Sequence, residues 1–576
     1  MSSKFLRVSV FVLCVLLVPR LWSAEKTYLT ILHTNDTHST LFPYGPLDSW
    51  GGIARVSSMI KELKAGRSNV LVINSGDVFV GTFEFNKYLG YPELKMMEGL
   101  YDVMCLGNHE FDLGLEPLLG ILSGQVAGGQ PVALPILCAN VNLDGMPFLK
   151  NFVKPSMVMN VGGLRVGLVG VVTTDPLNYS PEIQAVLTDP YDAAREAAFD
   201  LRYTKHADIV VCLSHLGKAA DIEKLSQVPG IDIIVGGHSH DALFKPLLVN
   251  GKIIVQAGAF GHYVGELKVE YRKGRVRLVR QRLHPVDRRT RQDPALRPTL
   301  NMLLAGIVFD PRFGPVYTKR IATAPWDLEE KWDPARTERD TPLGNLVADA
   351  IRKGVAKAGF PVDCALEANG YIAYKIHRGK VVGNDVMKSV PYGYDSVSGL
   401  GFKIDTVRLM GLQILAGLEY SVSMVDDADD ASMQASGLSF VYDSSRTPMD
   451  PGQLVYNLTH GIMEWGRVDP FSIKINGNPI SFAGTYWVAL SEQLHAFLLA
   501  NGLEPLDHME TGLFEYNVVR DFMSERRFLN YKIEGRIVDR SPSLLLLPAS
   551  QESEGFLQDG IVLERNNLHF MGGKVR

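Results

Sequence analysis

Five short stretches carry side chains that could do chemistry together. They are Asp36-Thr37-His38, Gly76-Asp77, Gly107-Asn108-His109-Glu110, Ser214-His215 and Gly236-Gly237-His238-Ser239-His240. Each follows an apolar run of the kind that forms a strand. Asp36 and His38 are two positions apart, which on extended chain turns both side chains to one side. Asp77 follows a glycine that permits a tight turn, and a carboxylate can bridge two cations. Asn108 adds a neutral oxygen, and His215, His238 and His240 add imidazoles. Mixed nitrogen and oxygen donors without thiolate suit Zn, Mn or similar divalent ions and argue against a structural zinc site. Taken singly, each stretch also has an ordinary reading as a turn, a helix cap or a lone histidine. Gly-Asn-His-Glu has little structural reason to occur, and all five in one region point to a two-metal hydrolytic site. His262 and His377 lack such company and read as ordinary histidines.

The elements that must position these residues follow from the apolar pattern. Tyr28–His33, Val70–Ile73, Val103–Leu106, Val166–Val172, Ile209–Leu213, Ile231–Val235 and Ile253–Val255 read as strands. Helices are predicted from Gly51-Gly52 to about Lys64 and over Tyr191–Thr204. Strands apolar on both faces and alternating with helices predict an α/β fold: a layered N-terminal domain of β-sheets flanked by helices. Such sheets carry their sites in loops at strand ends, where the five stretches fall. The pattern leaves the strand order open.

Five segments are predicted: residues 1–24 as a signal segment, 27–287 as the catalytic domain, 288–315 as a connector, 316–545 as a smaller α/β substrate-binding domain and 546–576 as a peripheral tail. Lys4 and Arg7 precede an apolar run from Val8 to Val18, and Ser23-Ala24 offers small residues for cleavage. The run is short of the roughly 20 residues a membrane span needs, so a secreted or periplasmic chain without a stable span is expected. The chain has 576 residues, 46% hydrophobic and 21% charged, with a formal net charge of −5. That balance excludes coating of a nucleic-acid polymer and leaves room for a local basic pocket. The cysteines left after residue 24 (Cys105, Cys138, Cys212 and Cys364) show no metal or redox spacing.

In this order, D-x-H, G-D, G-N-H-E-F-D, H and G-H-S-H resemble the calcineurin-like metallophosphoesterases. Leu32-His33-Thr34-Asn35-Asp36-Thr37-His38 is similar, more narrowly, to their 5′-nucleotidase and UDP-sugar hydrolase branch. Arg339 with Gly344-Asn345 and Asp349-Ala350, Pro391-Tyr392-Gly393, and Ser436–Asp443 resemble that branch's C-terminal domain. The resemblance spans about residues 27 to 540. It implies two divalent metal ions, with Asp36, His38, Asp77 and His240 holding one and Asn108, His215 and His238 the other, Asp77 bridging. It implies His109 as the catalytic histidine facing the phosphoryl group and Asp112 as its orienting carboxylate. Two such ions would activate a shared water for in-line attack on phosphorus, and a protonated His109 would stabilise the transferring group.

For substrate binding the resemblance implies Tyr392 and Phe497 sandwiching a nucleobase and Arg339 touching phosphate or ribose. One departure stands out. The family's phosphate-binding arginine is replaced, because Ala368-Asn369-Gly370-Tyr371-Ile372-Ala373 ends in Ala373 at that place, with Lys375 and Arg378 following. The expected protein is a monomeric hydrolase of nucleoside 5′-monophosphates, with UDP-sugars and 2′,3′-cyclic nucleotides as further substrates. The alternatives are a relative acting on a non-nucleotide ester such as a thiosulfate ester, or a nucleoside-binding protein with an unused catalytic site.

Overall fold

The computed structural model describes residues 26–175, 178–423, 425, 431–448, 453, 456, 460 and 466–541. The predicted signal segment and tail lie outside them. Among the described residues no helix is long and apolar enough to cross a membrane.

The first half of the chain is a two-sheet sandwich. One sheet has seven strands in the order 275–285, 263–272, 27–34, 70–74, 103–105, 136–137 and 153–154; the other has six, in the order 247–249, 252–255, 233–235, 209–215, 164–172 and 156–161. Pairing is parallel through the middle of each sheet and antiparallel at 27–34 with 263–272 and at 164–172 with 156–161. The continuous apolar runs divide between two cores. Leu71, Ile73, Val103, Cys105, Val211 and Leu213 meet between the sheets, whereas Val70, Val72 and Met104 face one outer core and Val210 and Cys212 the other. Helices Ile53–Lys64 and Leu115–Leu122 cover the first sheet, and Pro190–Phe199 covers the second. The helix expected over Tyr191–Thr204 changes its winding to a π-turn at Asp200–Thr204.

The second half is built on a five-stranded sheet in the order 433–436, 364–368, 485–491, 403–410 and 507–514. Helices Pro342–Lys357 and Glu515–Arg526 pack on one face, and Gly411–Ser423 and Glu492–Ala500 on the other. Thr341 caps the first of these helices by accepting from Gly344 N at 2.9 Å. The connecting segment carries helix Arg297–Val308, whose Leu300 and Leu303 sit against Leu41, Ala54 and Met96 of the first half. Phe83, fully buried, crosses in the other direction to meet Phe313 and Tyr516.

One feature of the second half is pH-sensitive by construction. Glu367 and Glu515 are both buried and interact; burial pushes Glu367 up to about 8, and burial together with Glu367 pushes Glu515 well above its usual value. A carboxyl held protonated in the fold stabilises it fully below its unfolded pKa of about 4.5 and loses that contribution as pH rises through the folded value. Wild-type protein is therefore expected to lose about 5 °C or more of melting temperature between pH 5 and pH 8.5. Glu367→Gln, which removes the ionisation, should flatten that slope. A variant whose melting temperature falls as steeply as wild type across this range would rule the pair out as its source.

Candidate active site

The five stretches converge where the parallel strands end. His33 and Thr34 close strand Thr27–Thr34, and the chain then turns so that Asp36 and His38 both have positive φ, 49° and 46°. Asp77, His238 and His240 also have positive φ, at 53°, 72° and 58°. Left-handed backbone at so many non-glycine residues is costly, of order 1–3 kcal/mol where it is strained, and such positions cluster at functional sites. Long-range hydrogen bonds hold it: Asp36 N donates to Gly76 O at 2.9 Å, His38 N to Asp77 O at 3.0 Å and His238 N to Asp36 Oδ1 at 2.9 Å. Gly107 is required for a different reason, since a Cβ there would lie 2.1 Å from Asp77 Oδ1.

The side chains form three overlapping trios: Asp36, His38 and His240; His38, Asp77 and His109; Asp77, His215 and His238. Within each, one donor atom per residue lies within 4.8 Å of the others. Nε2 of His38 and Nε2 of His240 are 3.0 Å apart, with Asp36 Oδ1 3.5 Å from the latter. His215 Nδ1 donates to Ser75 O at 2.6 Å, which leaves Nε2 as the lone-pair nitrogen of the neutral ring. That nitrogen stands 2.9 Å from Asp77 Oδ2. Two acceptors so close require a proton or a cation between them. Asn108 Oδ1 is buried with no hydrogen-bond partner among the described residues, a state that costs free energy unless a cation meets it.

Burial disfavours charge on His215, but Asp77 prevails and lifts it to about 10, so without a cation Nε2 carries the proton that a bound cation would displace. Burial pushes His38 and His238 down to about 3 and His240 well below its usual value, so all three offer neutral nitrogens. Burial pushes Asp36 up, with the neighbouring Asp77 adding to it. Asp77 itself is held well below the usual carboxylate range, because His215 and His109 outweigh its own burial. Chemically, these residues fit divalent cations, with Asp36, His38 and His240 on one side, Asn108, His215 and His238 on the other, and Asp77 between.

His109 differs from the rest. Its Nδ1 lies 2.8 Å from Asp112 Oδ2 and its Nε2 3.9 Å from Asp77 Oδ2. Burial disfavours charge on the ring, but Asp112 and then Asp77 prevail and lift it to about 9. Tyr392, from the second half of the chain, stacks on this ring with centroids 5.0 Å apart and planes 13° from parallel.

The other two residues expected at the substrate lie apart from the donor cluster's own contacts. Phe497 is on helix Glu492–Ala500 with its ring 5.1 Å from Tyr420, lining an apolar cavity with Leu366, Ile414 and Met433. Arg339 is held within the second half of the chain. It is buried, its guanidinium donates to Arg336 O and pairs with Asp539 at 3.4 Å, and it lies over Trp332. A buried guanidinium needs a counter-charge, and Asp539 supplies it. Lys375 is similarly engaged, with Glu329 at 3.1 Å and Asp327 at 3.4 Å.

Three supporting residues escaped the reading of motifs. Glu110 accepts backbone N–H groups from Asp77, Val78, Phe79 and Gly107 at 3.0, 2.8, 3.1 and 2.6 Å, tying two donor loops to each other. Its position inside Gly-Asn-His-Glu was the signal available. Asn35 donates to Asp36 and to Gly258 O and accepts from Ala257 N at 2.9 Å. Tyr371 lies 6.2 Å from Tyr392 and 5.3 Å from Phe402. Glu110→Gln, which turns one acceptor oxygen into a donor facing N–H groups, is expected to lower metal affinity and phosphate release by about 10- to 100-fold. Titration with Mn2+ against a fluorescent competitor checks this; unchanged affinity would remove Glu110 from the support of the site.

The sequence model of the calcineurin-like phosphoesterase family matches residues 29–242, and that of the 5′-nucleotidase C-terminal domain matches residues 321–497. The chain is 27% identical over 571 residues to the trifunctional nucleotide phosphoesterase protein YfkN of Bacillus subtilis, covering 92% of this chain but only 36% of that much longer protein. It is 27% identical over 564 residues to the 5′-nucleotidase of Diplobatis ommata, covering 91% of this chain and 92% of that one. The crystal structure of a 5′-nucleotidase precursor from Thermus thermophilus superposes with a TM-score of 0.75 at 28% identity, over 89% of this chain and 99% of the other.

Proposed function

The chain belongs to the 5′-nucleotidase family of calcineurin-like phosphoesterases and is a metal-dependent hydrolase of phosphoric esters; from that premise we propose that it releases phosphate from nucleoside 5′-monophosphates. The observation that carries the reading is the meeting of His109 with Tyr392. It joins a charged imidazole at the donor cluster to an aromatic ring of the other half of the chain. A phosphoryl group at the cluster would thus have a nucleoside extending toward Tyr392 and its neighbour Tyr371. Stacking on such rings is tolerant of base identity and contributes about 1–3 kcal/mol per base.

Asp36, His38, Asp77, Asn108, His215, His238 and His240 would hold two divalent cations, which when bound supply an activated water and positive charge for the phosphoryl oxygens. The remaining work falls to the protein. His109 donates from Nε2 to an oxygen of the transferring group, and Asp112 fixes the ring through Nδ1 and sustains its charge. Asp77 turns its Oδ1 to His109 N at 3.0 Å, so the donor loops keep register with the catalytic histidine. Hydrolysis of UDP-sugars and of 2′,3′-cyclic nucleotides by the same centre, export directed by residues 1–24 and action as a monomer belong to the same proposal.

Purified protein stripped with chelator and reloaded separately with Mn2+, Zn2+, Co2+ and Mg2+ should release phosphate from AMP, with UDP-glucose and 2′,3′-cyclic AMP ranking behind or beside it. Inactivity on all three substrates with every metal would withdraw the nucleotidase reading. Tight nucleoside binding without metal-dependent phosphate release would favour the binding-protein alternative instead.

A further inference from the structure

Lys388 is a buried lysine that the chemistry above does not use. It lies near the end of the short helix Gly383–Ser389 in the second half of the chain and crosses into the first half. Its Nζ donates to Thr40 Oγ1 at 3.2 Å and sits over three rings: Tyr44 at 4.1 Å, Phe260 at 4.2 Å and Tyr374 at 5.1 Å. Among the described residues no carboxylate is within ion-pair distance of it. A buried ammonium with one hydroxyl acceptor and a cage of ring faces is an expensive arrangement, since a methionine of similar length would fill the space without desolvating a charge. The rings return part of that cost, since each ring face turned to the ammonium favours its charged form. Burial pushes the ammonium down to about 7, with Glu84 and Asp385 pulling it back up.

Two of its three first-half partners, Phe260 and Thr40, lead directly to the same donor trio. Phe260 packs on His38 at 5.2 Å and on His240 at 5.4 Å, and its backbone N–H donates to Asp36 O at 2.7 Å. Thr40 donates to His38 O at 3.3 Å. Tyr374, from Lys388's own half, closes the cage against Phe260 at 4.4 Å and Tyr44 at 5.7 Å. One cation therefore touches the ring that supports two imidazoles of the trio and the hydroxyl beside the loop that carries one of them.

We propose that Lys388 is a positioning residue: its caged ammonium fixes Phe260 and Thr40, and through them sets His38 and His240 for the cation that Asp36, His38 and His240 share. The second half of the chain thereby helps to shape a metal site to which it contributes no ligand. This rests on the reading of that trio as a cation site.

The test is a double-mutant cycle in the full chain, with Mn2+ affinity as the readout and melting temperature of the metal-free protein as the control. Lys388→Met is expected to weaken Mn2+ binding about tenfold while the metal-free protein melts no lower than wild type. Phe260→Leu should weaken binding comparably, and the double variant should be no weaker than the worse single one, because both act along one route. Wild-type Mn2+ affinity in Lys388→Met would overturn the proposal, as would losses in the double variant that simply multiply. Should Lys388→Met melt below the assay temperature, Lys388→Gln, which keeps a donor toward Thr40 but no charge, takes its place with the same expected loss. Failure of the wild-type chain itself to take up Mn2+ would overturn the metal-site reading, and this inference with it.

Discussion

Asp77→Asn is expected to reduce phosphate release on the order of a thousandfold while leaving the fold intact. Asp77 is shared by two of the three donor trios, and its Oδ2 lies 2.9 Å from His215 Nε2, 4.0 Å from His38 Nε2 and 3.9 Å from His109 Nε2. Asparagine has the same shape, so Gly107 still fits against it and Glu110 still accepts its backbone N–H. What disappears is the negative charge by which one side chain can serve two cations. Several kcal/mol of charge stabilisation depend on cations held in place, and each 1.36 kcal/mol is a decade of rate. Metal analysis of the purified variant should show fewer bound ions per chain, and its melting temperature should stay within a few degrees of wild type. Full activity in Asp77→Asn would refute the bridging role outright.

His109→Ala should behave differently, and the contrast is the informative part. His109 sits beside the donor cluster with Asp112 behind it, and nothing in its geometry makes it a ligand of either outer trio. Loss of a positioned donor to the transferring group is worth on the order of 100- to 10,000-fold in kcat. Metal content should be retained and KM for AMP should change little, because the missing interaction strengthens only as charge develops. Asp112→Asn should lose less, since the ring remains but is neither charged nor aimed as well. If His109→Ala lost its metals along with its activity, the histidine would be a ligand and its separate role would fall. The stacking of Tyr392 on this ring adds a second readout: removal of the imidazole should also loosen the contact between the two halves, visible as increased proteolysis near Tyr392.

Much of the site was legible in the chain because its chemistry is local. Gly76-Asp77, Gly107-Asn108-His109-Glu110 and Gly236-Gly237-His238-Ser239-His240 each combine a strand end, a turn-forming glycine and metal-donor side chains, and Asp36-x-His38 combines a strand end with an alternating donor pair. A few neighbouring residues determine each of these features. The strands were legible for a related reason, since runs such as Val70–Ile73 are apolar on both faces only if both faces are buried. The pattern could not say that alternate residues serve different cores, because that requires knowing that two sheets face each other.

Tertiary structure decided what depends on residues far apart in sequence. His38 and His240, 202 positions apart, face each other at 3.0 Å only because two separate sheets present their ends to one space. The positive φ values of Asp36, His38, Asp77, His238 and His240 are imposed by hydrogen bonds between loops, which no local propensity encodes. The pairing of Arg339 with Asp539, 200 residues later, is likewise invisible in the sequence. Lys388, which no motif singles out, is buried among three rings. A charged side chain's role is set by what desolvates it and what neutralises it, and both come from the packed fold. The identity of the donors was therefore written in the chain, and their distances, protonation and supports were not.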